Sequence, residues 1–378
     1  MQYYLHIYRR LFFCLIFSFL SFSGFSQDVH TNPVNKMIGF FKKSNYVIAP
    51  LIAYKPVTSW QFGVGVKYLY RPKAYDTSDT RKSFVAAAVI YTLNNQLLFN
   101  PYFVHFFNHE KYMLDGYYGI KKFPQNYYGI GNTSDKINQE TVALNEIRIE
   151  QLGFKKIKGN LFAGIGLRVI GATNVVQKAN GLLLQEKPAG WDGYWSFGPS
   201  LNVRLDDRDN ILNAYRGQYI DVRLEFMNQS QITNGAYTQL KFDARKYITP
   251  FFNKKKVLAG QFLLQSGLNG DIPFSEMAFV GSETLMRGYY DKRYIDRHFI
   301  GGQVEYRHPL PYNFGFVTFA GLGDVSNNLN NLQLSNLKYS LGAGLRYKII
   351  PKEDINIRLD FGIGKESNTF YLSIAEAF

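Results

Sequence analysis

An alternation of apolar and polar residues with a period of two marks the C-terminal third of the chain. In residues 354–364 five apolar side chains share one face, while charged residues and glycines share the other, and residues 339–349 repeat the pattern. Residues 219–226 and 239–247 show it again. Successive side chains of a strand point to opposite faces, and about ten residues is the length of a tilted membrane strand. The pattern therefore predicts long β-strands with one apolar face.

The whole chain divides into sixteen such segments, and this even number is typical of bacterial single-chain outer-membrane barrels. A soluble β-sandwich also alternates, but its strands are usually about 5–6 residues long. Tyrosines near the segment ends are typical of an interfacial girdle. We therefore predict an all-β fold, a transmembrane antiparallel β-barrel of about sixteen strands. The segments start near Tyr46, Trp60, Ser83, Gln96, Lys111, Gln139, Asn160, Trp191, Gly217, Tyr237, Lys256, Phe299, Gly315, Lys338, Asp354 and Thr369.

The N-terminal residues have the layout of a secretory signal peptide. Two arginines precede an apolar run at residues 11–22, and small residues follow it. A membrane anchor is the alternative, but the run is shorter than the about 20 residues of a spanning helix. We predict a signal peptide at residues 1–26, a short periplasmic segment at residues 27–45, and the outer-membrane barrel at residues 46–378. Nineteen residues are too few for a folded domain of about 50.

The composition narrows the classes of partner and of chemistry. The formal net charge is +14, with 32 Phe and 28 Tyr but 3 Trp. Such an excess of positive charge can indicate nucleic-acid binding. In an exported, tyrosine-rich strand protein we prefer contact of the basic residues with anionic lipid headgroups. The remaining alternative is that the charges only solvate the loops. The single cysteine, Cys14, lies in the predicted signal peptide. The mature protein therefore has no disulfide and no cysteine metal site.

Catalytic and metal-binding patterns are poor. The chain contains no Gly-x-Ser-x-Gly elbow and no HExxH helix motif. His105 and His109 share the face of a strand, but at about 3.3 Å per residue they lie roughly 13 Å apart, too far for one zinc ion. We predict no catalytic residue, no metal, no cofactor and no enzyme activity.

The longest connection, roughly residues 269–298, lies between the eleventh and twelfth segments, and loops of this length are usually functional or disordered. It contains Arg287, Gly288 and Tyr289, and Glu305 follows in "GGQVEYRHPLP". This run resembles the most diagnostic region of the BamA/TamA superfamily of outer-membrane assembly and translocation barrels. The resemblance implies that the loop folds back into the lumen and that Arg287 pairs with Glu305. A buried arginine needs such a carboxylate to offset its desolvation.

One position departs from the family. The strand after Glu305 usually carries Phe-x-Asp-x-Gly, whose aspartate also helps to hold the arginine. In "TFAGLGDV", Phe319 and Gly323 match, but Gly321 stands at the aspartate position and Asp324 has the opposite strand parity. We therefore expect the arginine to depend mainly on Glu305, with a looser or rearranged loop.

Two further segments resemble the same family. In "RLDDRDNILNAYRGQYIDVRLEF", Asp206, Arg208, Asp209 and Gly217 match an Asp-x-Arg-Asp hairpin, and we interpret them as turn-forming residues. The tyrosine- and glycine-rich run at residues 126–132 also matches. The last segment ends in Phe378, which we expect on the face of Phe370, Leu372 and Ile374 as the assembly signal of an outer-membrane barrel.

The resemblance implies a function in inserting or translocating proteins at the outer membrane of a Gram-negative bacterium. The implied partners are outer-membrane lipids, client outer-membrane proteins, and a separate periplasmic POTRA-type protein or lipoprotein, because residues 27–45 leave no room for POTRA domains. The alternative is a passive porin-like channel, or a structural subunit of an outer-membrane complex that kept the fold without the activity. We expect no nucleic-acid partner.

Overall fold

The computed structural model describes residues 46–55, 59–72, 80–230, 235–250, 255–350 and 354–378. The predicted signal peptide and the segment at residues 27–45 lie outside the described residues. Within the described ranges, no helix is both long and apolar enough to cross a membrane.

The described chain is almost entirely strand, which confirms the predicted all-β fold. One short helix, α1 (Leu182–Glu186), lies in a connection. The strands are β1 (Tyr46–Lys55), β2 (Ser59–Tyr70), β3 (Ser83–Thr92), β4 (Leu97–Phe107), β5 (Tyr112–Lys122), β6 (Gln125–Tyr127), β7 (Glu140–Lys158), β8 (Leu161–Val176), β9 (Tyr194–Asp206), β10 (Gly217–Ser230), β11 (Ala236–Ile248), β12 (Val257–Asn269), β13 (Ala278–Val280), β14 (Tyr294–Asp296), β15 (His298–Pro309), β16 (Phe314–Ser326), β17 (Lys338–Ile350), β18 (Ile355–Gly364) and β19 (Ser367–Ile374).

Sixteen long strands make the wall, and each begins within three residues of its predicted start. Each pairs antiparallel with the next long strand of the chain, from β1–β2 to β18–β19. The short β6 adds to β7, and β13 pairs with β14 inside the longest connection.

The first and last strands meet without a regular ladder. Cα atoms of β1 and β19 approach within 8 Å. Among the described residues, however, β1 pairs only with β2, and β19 pairs only with β18. Within the part of the chain that the structure describes, no backbone ladder closes the sheet at this seam.

The wall has its apolar side outward, as β9 illustrates. Phe197, Leu201 and Val203 are exposed, whereas Ser200 and Arg204 on the other face are buried. A soluble sandwich would bury the apolar row and expose the polar one. The reversed pattern is that of a membrane barrel with a polar lumen.

An aromatic band marks one membrane boundary. Neighbouring rings on the outer face of β1, β2, β4 and β5 stack with centroid separations from 4.6 to 5.7 Å. The band consists of Tyr46, Tyr68, Tyr70, His105, Phe107 and Tyr112. The three longest connections, residues 123–139, 177–193 and 270–297, all lie at the other end of the barrel. Because extracellular loops are longer than periplasmic turns, the band marks the periplasmic boundary.

Candidate functional site

The connection between β12 and β15 folds into the lumen. Its hairpin of β13 and β14, and the tip that connects these two strands, are packed against the inner wall, and Ala278, Val280, Met286 and Tyr289 are completely buried. They form one apolar cluster with Phe299 of β15. We call residues 270–297 the inserted loop. Its burial gives the polar tip a fixed environment.

Arg287 lies at the tip of the inserted loop with no exposed surface. Its Nη2 atom donates to Glu305 Oε2 of β15 at 2.5 Å, and its Nη1 atom donates to Asp360 Oδ2 of β18 at 2.6 Å. The guanidinium carbon lies 3.6 Å from the centre of the Phe319 ring on β16. Two carboxylates and one aromatic face therefore compensate the buried charge.

The expectation that Arg287 depends mainly on Glu305 is wrong, because Asp360 supplies a second carboxylate. Gly321 faces the lumen beside the tip, and a Cβ atom there would lie 3.2 Å from Met286 Sδ. The space beside Gly321 is therefore occupied by the loop, and the second carboxylate comes from β18. The sequence carried one signal for Asp360, its place on the polar face of an alternating strand.

Gly288 lets the loop backbone touch the wall. It has φ +115°, and a Cβ atom would come within 2.6 Å of the Ile363 backbone. Facing it, a Cβ atom on Gly362 would come within 2.6 Å of the Arg287 carbonyl carbon. Two glycines thus allow main chain to pack on main chain. The Gly288 N–H donates to the Tyr371 hydroxyl at 3.0 Å, and the Ser340 hydroxyl donates to the Arg287 carbonyl.

Tyr289 completes the tip. Its hydroxyl donates to the Tyr339 carbonyl at 2.8 Å and accepts from the Lys365 N–H at 2.9 Å. Its own carbonyl accepts from the Tyr371 hydroxyl at 3.0 Å. Burial raises the pKa of Tyr289 to about 12, so the phenol stays protonated and keeps its donor. The tip therefore contacts β17, β18 and β19 as well as β15.

The arginine–carboxylate contacts at the tip close into a ring. Glu305 also binds Arg307, and Asp360 also binds Arg346, while Glu376 joins these two arginines. We call this set the charge ring. In order around it, the N···O distances are Arg287–Glu305 2.5 Å, Glu305–Arg307 2.7 Å, Arg307–Glu376 3.9 Å, Glu376–Arg346 2.7 Å, Arg346–Asp360 2.5 Å and Asp360–Arg287 2.6 Å. Every carboxylate has at least two arginine partners, which offsets its desolvation.

A second anchor, which no sequence motif predicted, holds the first limb of the inserted loop. Glu276 accepts from Arg148 Nη2 of β7 at 2.7 Å and from Arg168 Nη2 of β8 at 2.5 Å. Lys292 donates to the Ser275 carbonyl at 2.5 Å, and burial lowers the pKa of this lysine. On one side of the barrel, β9 to β12 separate this anchor from the charge ring. The loop therefore spans the lumen from β7 and β8 on one side to β15, β17 and β18 on the other.

The glycine- and tyrosine-rich segment after β6 covers the inserted loop. The Gly131 N–H donates to the Ile295 carbonyl at 2.8 Å, and Arg293 Nη2 donates to the Ser134 carbonyl at 2.9 Å. Asn132 donates to Asp324 at 2.9 Å. Asp324, the carboxylate nearest to Gly321 along the chain, thus contacts this cover.

The hairpin between β9 and β10 contains the four residues matched in the sequence. Asp206 accepts from Arg208 Nε at 2.8 Å, and Asp209 accepts from the Tyr215 N–H at 3.0 Å. Gly217 has φ +106°, and a Cβ atom would lie 2.5 Å from the Asp207 carbonyl oxygen. The carboxylates bind the turn and the glycine permits its backbone, which is consistent with turn-forming roles.

Phe378 does not lie on the predicted face with Phe370, Leu372 and Ile374. β19 ends at Ile374, Ala375 has φ +72°, and the last residues leave the outward row. Phe370 is 62% exposed, whereas Phe378 is 7% exposed and packs near Tyr247. The prediction that Phe378 shares the face of Phe370 is therefore wrong, because Ala375, in the left-handed region, turns the chain inward. Arg307 Nη2 donates to the Phe378 main-chain oxygen at 2.9 Å.

The geometry holds a loop by ion pairs. Among the described residues, no group of three or more His, Asp or Glu side chains is arranged to bind a metal ion. The imidazole of His105 instead shares a hydrogen bond of 2.8 Å with the Tyr70 hydroxyl. The carboxylates of the charge ring are each occupied by arginines.

These features define a β-barrel of the outer-membrane type whose lumen holds an inserted loop tipped by Arg-Gly-Tyr. The family model of the Omp85 superfamily domain matches residues 120–378. The chain therefore belongs to the Omp85 superfamily, which confirms the predicted relationship and indicates a location in the outer membrane of a Gram-negative bacterium.

Two solved structures resemble the fold. One is BamA from Haemophilus ducreyi lacking POTRA domains 1–3, with 13% identity and a TM-score of 0.56 over 88% of this chain and 70% of that chain. The other is CdiB from Acinetobacter baumannii, with 13% identity and a TM-score of 0.55 over 87% of this chain and 59% of that chain. The chain thus spans less than two thirds of CdiB. No curated protein matches the sequence significantly.

Proposed function

We propose that this barrel inserts or translocates proteins at the outer membrane. Two observations together carry the proposal. Strands β1 and β19 meet without a backbone ladder among the described residues, and the inserted loop spans the lumen. Membership of the Omp85 superfamily supports it.

The seam supplies the mechanism. Strands β1 and β19 each present one edge whose backbone groups lack a ladder partner among the described residues. Such an edge can template a further strand, and a client strand would pair with it by β-augmentation. Separating β1 from β19 breaks no regular row of backbone hydrogen bonds, because the two strands share no ladder. Opening of the seam therefore needs no chemical energy source.

The inserted loop keeps the rest of the wall in place while the seam opens. The charge ring joins β15, β17 and β18 to the tip, and the Glu276 anchor joins the first limb to β7 and β8. In this proposal the loop is a strut across the lumen and also blocks solute flow. Export by the signal peptide and Phe378 as an assembly signal belong to the same proposal.

Outer-membrane lipids and client barrel proteins are the proposed partners. A separate POTRA-type protein or lipoprotein would capture clients in the periplasm. The competing function is a passive channel or a structural subunit. The loop crossing the lumen favours insertion over a passive channel, because it occupies the space through which solutes would pass.

A cysteine cross-link across the seam tests the proposal. Cys14 is the only natural cysteine, so Cys14→Ser leaves a clean background. One cysteine replaces Ile48 of β1, and a second replaces Phe370, Leu372 or Ile374 of β19 in turn. The control pair replaces Val64 and Val89, which are ladder partners on β2 and β3.

The readout is the folding rate of a urea-denatured barrel client in liposomes that contain the protein. We expect the oxidised seam pair to abolish the acceleration and reduction to restore it, while the control pair has no effect in either state. A wild-type protein that never accelerates folding but passes small solutes would instead establish a passive channel.

A further inference from the structure

A groove crosses the outer face of the wall over strands β10 to β17. It is an open groove with a volume of about 840 Å³. Its outward rim includes Phe262, Val304, Leu322 and Leu341, each more than 40% exposed. The groove therefore opens toward the acyl chains of the bilayer and not into the lumen.

Small residues on adjacent strands make the floor. Ladder neighbours share a face, and the ladder places Gly260 of β12 beside Val304 and Val304 beside Ala320. In the next row Ala244 is beside Phe262, and Phe262 is beside Gly302. In each row a large side chain, Val304 or Phe262, thus has a small residue on both neighbouring strands. A Cβ atom on Gly260 would meet no atom within 4 Å, so the floor is open to an occupant there.

A cation stands at one end of the groove. Lys246 of β11 is the ladder partner of Gly260 and of Gln218, and it lines the groove with both. Its Nζ atom contacts Gln218 Oε1 at 3.4 Å. Among the described residues, it forms no ion pair with a carboxylate. Lys246 lies two residues before the end of β11, on the periplasmic side.

We propose that this groove binds an anionic glycerophospholipid of the periplasmic leaflet. One acyl chain lies along the floor over Gly260 and Gly302, and the phosphate meets Lys246 with Gln218 beside it. A lysine on the lipid face costs little near the interface, and an adjacent anionic headgroup offsets that cost. The site is separate from the seam and from the inserted loop, so it stands whether or not the barrel inserts proteins.

The chemistry of the groove and of Lys246 selects the occupant. A free phosphate would use the lysine but leave the apolar groove empty. An uncharged lipid would use the groove but leave the cation unpaired. An anionic phospholipid satisfies both parts, and its headgroup depth matches a lysine at the end of a strand.

The test uses the delipidated full-length protein titrated with dioleoylphosphatidylglycerol and, separately, with dioleoylphosphatidylcholine, with native mass spectrometry as the readout. We expect Gly260→Leu to abolish the tightest binding event for both lipids, because it fills the floor. We expect Lys246→Gln to weaken phosphatidylglycerol about fivefold, the equivalent of about 1 kcal/mol per cation near a lipid surface, with little change for phosphatidylcholine.

Two matched variants control for general effects. Ala87→Leu enlarges a small outward residue of β3 beside Val66, and Lys122→Gln removes an exposed lysine beside Leu97. Neither residue lines the groove, and neither change should alter binding. Wild-type affinity in Gly260→Leu would overturn the proposal. A mass of two chains without lipid, lost in Gly260→Leu, would also overturn it by assigning the groove to a second copy.

Discussion

Asp360 Oδ2 lies 2.6 Å from Arg287 Nη1, inside the lumen and without exposed surface on either side chain. The two residues belong to β18 and to the tip of the inserted loop. The family motif predicts an aspartate on the strand after Glu305, where this chain has Gly321. In this chain the second acidic partner lies two strands further on, in β18, and the arginine has two acidic partners. A missing motif residue therefore does not mean a missing interaction.

Asp360→Ala should destabilise the barrel as strongly as Glu305→Ala. Each change leaves buried arginines with fewer carboxylates, and breaking a buried pair costs about 3–5 kcal/mol. The temperature at which the folded band disappears in heat-modified gel shifts measures the effect. Asp243→Ala is the control, because Asp243 binds Arg245 with both side chains about one-fifth exposed, so solvent screens the charges and the loss should be smaller than at Asp360. Equal losses for Asp360 and Asp243 would contradict the assignment.

Arg287→Ala and Glu305→Ala should not add. The first change leaves a carboxylate that still has Arg307, and the second leaves an arginine that still has Asp360. Removing both residues takes away one positive and one negative charge together, so the double variant should be no less stable than either single variant. Urea unfolding in detergent measures all three free energies. Fully additive losses would mean that the two residues do not act as a pair.

Gly321→Asp alone should not restore the family arrangement. The new Cβ atom would lie 3.2 Å from Met286 Sδ and from Gln303 Cβ, so the loop must shift. Overpacking of this kind typically costs about 1–3 kcal/mol. With Met286→Ala the space opens, and the aspartate can approach Arg287. We therefore expect Gly321→Asp with Met286→Ala to recover part of the stability lost in Asp360→Ala.

The measurement is again the gel-shift temperature, with Met286→Ala in the Asp360→Ala background as the matched control. The gel-shift temperature should recover only when the aspartate at position 321 is present. A triple variant no more stable than that control would show that β16 offers no productive position for a carboxylate.

The strand pattern of this chain could be predicted, and the partners inside the lumen could not. Alternation is a local property, so strand starts such as Tyr46 and Lys338 follow from a few neighbouring residues. Pairing across the lumen depends on which strands curve toward each other. Glu276 and Asp360 lie far from Arg168 and Arg287 in the chain, and no local pattern distinguishes them from other lumen-facing carboxylates. Ala375, whose φ of +72° turns Phe378 inward, also lacks a local signature.

The two anchors of the inserted loop should act independently, because the charge ring and the Glu276 contacts share no residue. A cysteine at Met286, which is fully buried, reports release of the loop through its rate of maleimide labelling. Glu276→Ala or Arg287→Ala alone should increase labelling modestly, because the other anchor still holds one limb. The double variant should release the loop, with free energies that add within about 0.5 kcal/mol. Full labelling of Arg287→Ala alone would show instead that the charge ring is the sole restraint, and that Glu276 only neutralises Arg148 and Arg168.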